Sequence, residues 1–176
     1  MSADSTDRPR DVLWAPWRME FINAKKRDGC IFCEFPSATG DKADKANLVL
    51  GRSASSFAIL NKYPYNSGHL MVVPTRHVAN LAALTPPELS EIMLLTQRCE
   101  IALTEVYQPQ GINVGINLGR PAGAGVLDHV HVHLVPRWTG DTNFMSVVGN
   151  VRVLPEELGQ SAERLRPVFE RLGRDA

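Results

Sequence analysis

Three of the five histidines alternate with apolar residues in the run His129-Val-His131-Val-His133-Leu-Val135. Alternation with a period of two is typical of a β-strand, in which successive side chains point to opposite faces. The run therefore predicts one strand with three imidazoles on one face and apolar residues toward a core. Because imidazole titrates, attacks and binds metals near neutral pH, such a row indicates a functional site.

The composition limits the class of protein. A chain of 176 residues with 44% hydrophobic and 22% charged residues fits one globular domain. Its 19 basic and 19 acidic residues balance, so bulk charge does not favour long nucleic acid or an anionic membrane. No apolar run approaches the ~18 residues of a membrane span, and residues 1–10 lack a signal-peptide core. Three cysteines are too few for a disulfide scaffold. We therefore expect a cytoplasmic location.

The pattern of apolar residues and turns predicts an α+β fold. Short strands are expected over 47–51, 56–60, 69–74 and 113–118, besides the histidine run. Thr85 and Glu88 form a capping-box pattern before a helix over 86–107, in which Cys99 is a core thiol. A last amphipathic helix is expected over 155–173. The prediction is a mainly antiparallel sheet of about five strands with a long helix and a C-terminal helix.

The chain is predicted to hold a single domain. Residues 1–12 have the composition of a disordered tail, and the domain spans 13–176 with its core in 47–140. The aromatic segment 13–27 contains Trp14 and Trp17. Aromatic residues this dense are rarely left in water, so the segment either packs on its own domain or contacts another subunit.

The histidine run is similar to His-φ-His-φ-His-φ-φ, the defining motif of the histidine triad (HIT) superfamily. Further segments in the family's order are 61–74, 117–119, 122–123 and 136–137, so the resemblance covers roughly residues 28–140. The Trp-Ala-Pro-Trp-Arg-Met start and Trp138 resemble the bacterial branch that contains diadenosine tetraphosphate phosphorylases. The resemblance implies a HIT-like fold.

The resemblance also implies an activity. In the family the middle histidine, here His131, attacks the α-phosphorus of a nucleotide and forms a covalent nucleotidyl-histidine. Water or phosphate then releases the product, while His133 positions the phosphoryl oxygens. His69 matches a further active-site histidine, although a structural role fits a lone strand histidine nearly as well. A nucleophilic histidine must be neutral at the attacking nitrogen and oriented through the other one, and the His131 ring must face an open pocket.

Several residues are predicted to bind the nucleotide or dinucleoside polyphosphate substrate. Backbone N–H groups of the loop Gly123-Ala124-Gly125 can form an anion-binding nest, unless the loop is only a turn. The resemblance adds Asn117 for phosphate, Asn61 for ribose and Trp138. Asn61 also suits a turn.

The loop before the triad and the residue next to His129 depart from the family's common pattern. Ala124-Gly125 lacks the hydroxyl common in the phosphorylase branch, which puts phosphorolysis in doubt, and Asp128 should face away from the triad. Phe57 and Leu60 either flank the base or belong to the core.

A pair of cysteines, Cys30 and Cys33, precedes the sheet in a Cys-x-x-Cys motif. By itself the motif fits a redox pair, ordinary core thiols or half of a zinc site. Zinc-bearing family members add a histidine at the position of His77 and the first triad histidine, His129. The resemblance thus implies a structural Cys₂His₂ zinc site whose cysteine knuckle spans 28–36.

Two other functions remain open at this stage. One is a nucleotide-binding or signalling HIT module with weak or no catalysis. The other is a structural zinc protein whose partner binds the Trp14/Trp17 segment. Because family members pair with their sheets joined across the interface, we expect a homodimer or a larger homo-oligomer.

Overall fold

A five-stranded antiparallel sheet with the order β1-β2-β3-β5-β4 lies at the centre of the computed structural model. The structure describes residues 29–126, 128–141 and 155–174, all within one compact unit. The predicted tail 1–12 and the whole aromatic segment 13–27 therefore lie outside the described residues. The strands are β1 (Val49–Arg52), β2 (Ser56–Leu60), β3 (Leu70–Pro74), β4 (Gly111–Ile116) and β5 (Val132–Arg137). The predicted α+β class with this sheet is confirmed.

Four α-helices and two short 3-10 helices accompany the sheet in the described part of the chain. The α-helices are α1 (Ile31–Glu34), α2 (Asp41–Ala46), α3 (Pro86–Tyr107) and α4 (Leu158–Arg174), and the 3-10 helices are Leu81–Ala83, capped by Asn80, and Arg120–Ala122. The capping box at the start of α3 is confirmed, since Thr85 Oγ1 accepts from the N–H of Glu88, whose carboxylate accepts from the Thr85 N–H at 2.8 Å. Helix α4 begins later than the predicted 155. None of these helices has the length and hydrophobicity that a bilayer span requires.

Strands β2 and β3 are buried along their whole length and divide the core into two clusters. Ala58 and Leu60 face the cluster that α3 and α4 cover, and Cys99 lies there fully buried. Burial raises the pKa of the Cys99 thiol, which agrees with a core role. Phe57 belongs to the second cluster, with Phe32 of α1. Phe57 and Leu60 are thus core residues. The candidate site lies beside the second cluster, where the Phe32 ring contacts His129 and His131.

The histidine run departs from the predicted single strand. Strand β5 begins at Val132, so His129 and His131 precede the ladder and only His133 lies within it. Asp128 has φ +63°, outside the strand region, and the Val130 N–H donates to the carbonyl of Val78 at 2.7 Å. The predicted strand therefore includes only the last of the three histidines, although the rings of His131 and His133 lie next to each other with 4.7 Å between centroids. Asp128 is exposed, in agreement with the expected surface role, although it lies outside the strand from which that role was inferred.

The chain around the cysteine motif is tied to the sheet by Arg52. Its guanidinium pairs with Asp44 at 2.6 Å and donates to the carbonyls of Phe35 and Ala38. A guanidinium supplies several donors in fixed directions, so one side chain can join segments on both sides of it. This arrangement holds the segment that follows α1 against the end of β1.

Candidate functional site

The His131 imidazole is oriented by its own neighbouring backbone. Its Nδ1 lies 2.9 Å from the carbonyl oxygen of His129. A carbonyl only accepts hydrogen bonds, so Nδ1 carries the proton and Nε2 of the neutral ring keeps its lone pair. Burial lowers the pKa of His131 below its usual value and outweighs the opposite effect of this hydrogen bond. The ring is therefore neutral at pH 7 and has one basic nitrogen, Nε2.

The same ring is covered rather than open. His131 is 4% exposed, and the Phe32 ring lies edge-on to it with 5.2 Å between centroids. The expectation of an open pocket at this ring is not met. The described aromatic contacts of the ring are Phe32 and His133.

His133 and His69 form a pair beside His131. Nε2 of His69 lies 2.9 Å from Nδ1 of His133, and the His131 and His133 ring centroids are 4.7 Å apart. Burial, aided by His131, lowers the pKa of His133 to about 4, so His133 is neutral near pH 7. His69 is fully buried. Its place behind His133 suits positioning rather than contact with a substrate.

The four predicted metal ligands come together. Their donor atoms all lie within 4.8 Å of one another, and the four residues are Cys30, Cys33, His77 and His129. The Cys30 Sγ–His129 Nδ1 and Cys33 Sγ–His77 Nδ1 distances are both 3.3 Å. Ligands of a tetrahedral zinc ion are separated by roughly 3.3–3.8 Å, as its bond lengths require. The donor set and its spacing therefore fit one tetrahedral cation.

Supporting contacts orient these ligands. His129 Nε2 donates to the carbonyl of Pro74 at 2.9 Å, which leaves Nδ1 free toward the sulfurs, as is usual for a metal-bound histidine. Without a cation, desolvation and the neighbouring Cys30 raise the pKa of Cys33. Phe32 lies between the two groups, since its ring also contacts the His129 ring at 5.5 Å. It thus joins the ligand cluster to His131.

The predicted phosphate loop has an irregular backbone. Gly123 has φ +89°, and its N–H donates to the carbonyl of Arg120 at 3.0 Å. The Ala124 N–H is directed to the carbonyl of Gly119. A Cβ on Gly123 would lie 3.9 Å from Nδ2 of Asn117, so this amide is next to the loop. The N–H groups of Gly123 and Ala124 are therefore engaged in hydrogen bonds within the turn, as the turn interpretation predicts. A phosphate-binding role for Gly125 and Asn117 stays a prediction.

Two other predicted binding residues have structural contacts. The Asn61 side-chain oxygen accepts from the Tyr63 N–H at 2.9 Å, so Asn61 shapes the turn, and ribose binding stays a prediction. Trp138 follows β5 and contacts Tyr107 with 6.4 Å between ring centroids. At about 3.3 Å per residue it lies roughly 16 Å along the strand from His133. Its predicted role at the substrate gains no support from this placement.

Two aromatic residues at the site were missed by sequence reasoning. Phe32 lies between the two cysteines in the sequence. This position could have predicted that its ring lies beside the four metal ligands. The Tyr65 ring stacks on the His69 ring, with 4.8 Å between their centroids and 28° between their planes. Its centroid lies 6.1 Å from that of His133, and those two rings are tilted relative to each other. Tyr65 lies four residues before His69, so the turn that carries it could have drawn attention to it.

Comparison with known proteins agrees with this geometry. The HIT domain family profile matches residues 42–140. A Mycobacterium tuberculosis protein named AP-4-A phosphorylase is 39% identical over 168 residues, which are 90% of this chain and 84% of the relative. A Dictyostelium discoideum bis(5'-adenosyl)-triphosphatase is 33% identical over 121 residues, which are 65% of this chain and 80% of the relative.

A solved structure also resembles the fold. The crystal structure of a Zn-bound histidine triad family protein from Mycobacterium smegmatis has a TM-score of 0.65 and 24% sequence identity, and covers 84% of this chain and 98% of that chain. At this identity the similarity shows the fold alone. The family match spans more than half of the chain, and the relatives and the triad motif agree with it. The chain therefore belongs to the HIT domain family.

Proposed function

We propose that this protein is an enzyme that cleaves adenine nucleotides or dinucleoside polyphosphates at the α-phosphate, with His131 as the nucleophile. The observation that carries the proposal is the hydrogen bond from His131 Nδ1 to the His129 carbonyl, which leaves a basic Nε2 beside His133. The names of the relatives, AP-4-A phosphorylase and bis(5'-adenosyl)-triphosphatase, support this substrate class.

The reaction has two steps. The Nε2 lone pair of His131 forms a bond to the α-phosphorus, and the bond from that phosphorus to the bridging oxygen breaks. The departing polyphosphate keeps that electron pair and takes up a proton. Water or inorganic phosphate then attacks the same phosphorus, breaks the P–N bond, and gives a nucleoside monophosphate or diphosphate. His133 lies beside His131, where it can hold the phosphoryl oxygens.

The acceptor of the second step distinguishes a phosphorylase from a hydrolase. With diadenosine tetraphosphate and inorganic phosphate, we expect ADP and ATP as products, in keeping with the 39% identical relative. The test is product identification by mass spectrometry with and without phosphate, using ¹⁸O-labelled phosphate to follow the acceptor. AMP formation that does not depend on phosphate would show hydrolysis instead, as the missing hydroxyl at Ala124-Gly125 would explain.

A binding module is the second candidate function. Two observations favour it: the His131 ring is 4% exposed, and Ala124-Gly125 carries no hydroxyl. Such a module binds nucleotide and forms no covalent intermediate. Turnover assays on the wild-type protein and on a His131 variant separate the two functions, because a module gives the same negligible rate for both.

We also propose that Cys30, Cys33, His77 and His129 hold a structural zinc ion. All four positions of a tetrahedral ion are filled by protein ligands, so no site remains for substrate. Zinc there would fix α1 against the segment before β5, and thereby the position of Phe32 beside His131. The two thiols must stay reduced to bind the ion, from which we infer a reducing, cytoplasmic location.

We further propose that the protein forms a homodimer through the edge strand β4 and helix α3. Strand β4 ends the sheet order, and Val114 on it is 52% exposed. On α3, four large apolar side chains are exposed: Leu89, Met93, Leu94 and Ile101. An unpaired strand edge beside exposed apolar side chains is typical of a surface that another copy covers.

A charge on this surface should separate the subunits. We expect Met93→Glu and Val114→Glu proteins to sediment as monomers in analytical ultracentrifugation, because each places a carboxylate in the apolar contact. Thr39→Glu, at an exposed position in the loop before α2, serves as the control and should sediment like the wild type. Unchanged sedimentation of both surface variants would place the subunit contact elsewhere.

A further inference from the structure

We infer that the turn from Asn61 to Tyr65 fixes the tautomer of His69, and through it makes His133 a hydrogen-bond donor at Nε2. Asn61, Tyr65 and His69 are then positioning residues, and His133 is the residue that meets the substrate. The inference rests on the proposed function for its catalytic meaning, whereas the hydrogen-bond pattern can be measured without any turnover.

The first step is the backbone of Tyr65. Its N–H lies 3.0 Å from Nδ1 of His69. A backbone N–H can only donate, so Nδ1 of His69 must be the acceptor and cannot carry a proton. A neutral His69 therefore has its proton on Nε2. The backbone sets this direction, which a change of the Tyr65 side chain alone does not reverse.

The second step is the Asn61 amide, which reaches the same nitrogen. Its orientation is fixed because its oxygen accepts from the Tyr63 N–H at 2.9 Å. The other end of the amide, the Nδ2 donor, then lies 3.4 Å from Nδ1 of His69. An amide offers donors at this end, whereas a carboxylate offers only acceptors. Asn61 and Tyr65 thus favour the same tautomer of His69.

The third step passes from His69 to His133. Because His69 carries its proton on Nε2, the 2.9 Å contact is an Nε2–H bond donated to Nδ1 of His133. The proton of a neutral His133 is consequently on Nε2. Burial and His131 lower the pKa of His133 to about 4, which agrees with a neutral ring. His133 can then donate to a phosphoryl or leaving-group oxygen, and it cannot act as a base at Nε2.

The Tyr65 ring protects this arrangement on one side. It stacks on His69 with 4.8 Å between centroids and is itself 39% exposed. His69 is fully buried, and the Tyr65 ring covers one of its faces. Water is therefore kept from forming hydrogen bonds that would compete with the His69–His133 hydrogen bond. Besides His69 itself, Tyr65 and His131 are the described titratable side chains whose rings contact His133.

The experiment is ¹⁵N–¹H correlation NMR on the full-length protein labelled at the histidine ring nitrogens, without substrate. We expect both His69 and His133 to show a protonated Nε2 and an unprotonated Nδ1 near pH 7. Resonances are assigned with His69→Gln and His133→Asn proteins. A His133 ring protonated at Nδ1, or a charged His69, would overturn the inference. Because no substrate is present, a failure here is distinct from a failure of the proposed activity.

A carboxylate at position 61 tests the second step. In Asn61→Asp one of the two donors to His69 Nδ1 becomes an acceptor while the Tyr65 N–H remains, so we expect the His69 Nδ1 resonance to shift from its wild-type position while that nitrogen stays unprotonated. Asn80→Asp adds the same charge at an exposed helix cap, whose oxygen accepts from the Ala83 N–H, and should leave the His69 spectrum unchanged. A wild-type spectrum of His69 in Asn61→Asp, or an equal change in Asn80→Asp, would overturn the role of Asn61.

Discussion

A His131→Asn protein should lose turnover of diadenosine tetraphosphate by on the order of 10⁵-fold while still binding the nucleotide. Removal of a covalent nucleophile has an effect of this size in other enzymes that use one, and it corresponds to about 7 kcal/mol of transition-state stabilisation. Asparagine suits the test because its side-chain N–H₂ can replace the Nδ1 donor to the His129 carbonyl. The variant thus loses the attacking nitrogen and keeps the local hydrogen bond.

The measurements are the steady-state rate and the nucleotide Kd from calorimetry, with thermal unfolding to compare the folds. A matched control is Asn80→Asp, which alters an exposed helix cap with no contact to the triad described. It should retain the wild-type rate. A His131→Asn rate within tenfold of the wild-type rate would contradict nucleophilic catalysis by His131.

Replacement of one cysteine ligand should remove the metal and much of the stability. We expect wild-type protein purified without added metal to contain about one zinc ion per chain, and Cys33→Ser to contain almost none. When the free zinc concentration is a thousand times the Kd of the site, loss of zinc binding lowers the free energy of unfolding by about 4 kcal/mol. The ligands join α1, the end of β3 and the segment before β5, so they constrain regions far apart in the chain.

Elemental analysis and thermal unfolding with and without a chelator measure both effects. Cys99→Ala is the matched control, because Cys99 lies fully buried in the other core cluster, whose members include none of the four ligands. It should lose some stability through a small cavity and keep its zinc. Wild-type protein without zinc, or Cys33→Ser with undiminished zinc, would contradict the proposed metal site.

Local patterns predicted the parts of the fold that short-range interactions decide. The period-two apolar runs of β2 and β3 place Ala58 and Phe57 in separate clusters, as pleated strands require. Thr85 and Glu88 sit three residues apart, which is enough to specify the capping box. The ligand set came from the family resemblance rather than from local pattern, and its four donor atoms do converge.

The start of β5 and the cover over His131 depend on contacts between distant segments. The left-handed backbone of Asp128 and the Val130–Val78 hydrogen bond take His129 and His131 out of the ladder. Alternation along the sequence contains no information about Val78. Phe32 likewise reaches His131 across 99 positions of sequence, since α1 packs under the sheet through the second core cluster.

The central claim is that Nε2 of His131 forms a bond to the substrate phosphorus. The direct measurement is rapid mixing of wild-type protein with diadenosine tetraphosphate, a quench in alkaline denaturant that preserves the P–N bond, and tandem mass spectrometry of the peptides. An AMP adduct on His131 that forms and decays at the rate of turnover is the predicted result. An adduct on another side chain, or turnover with no adduct on His131, would contradict the claim.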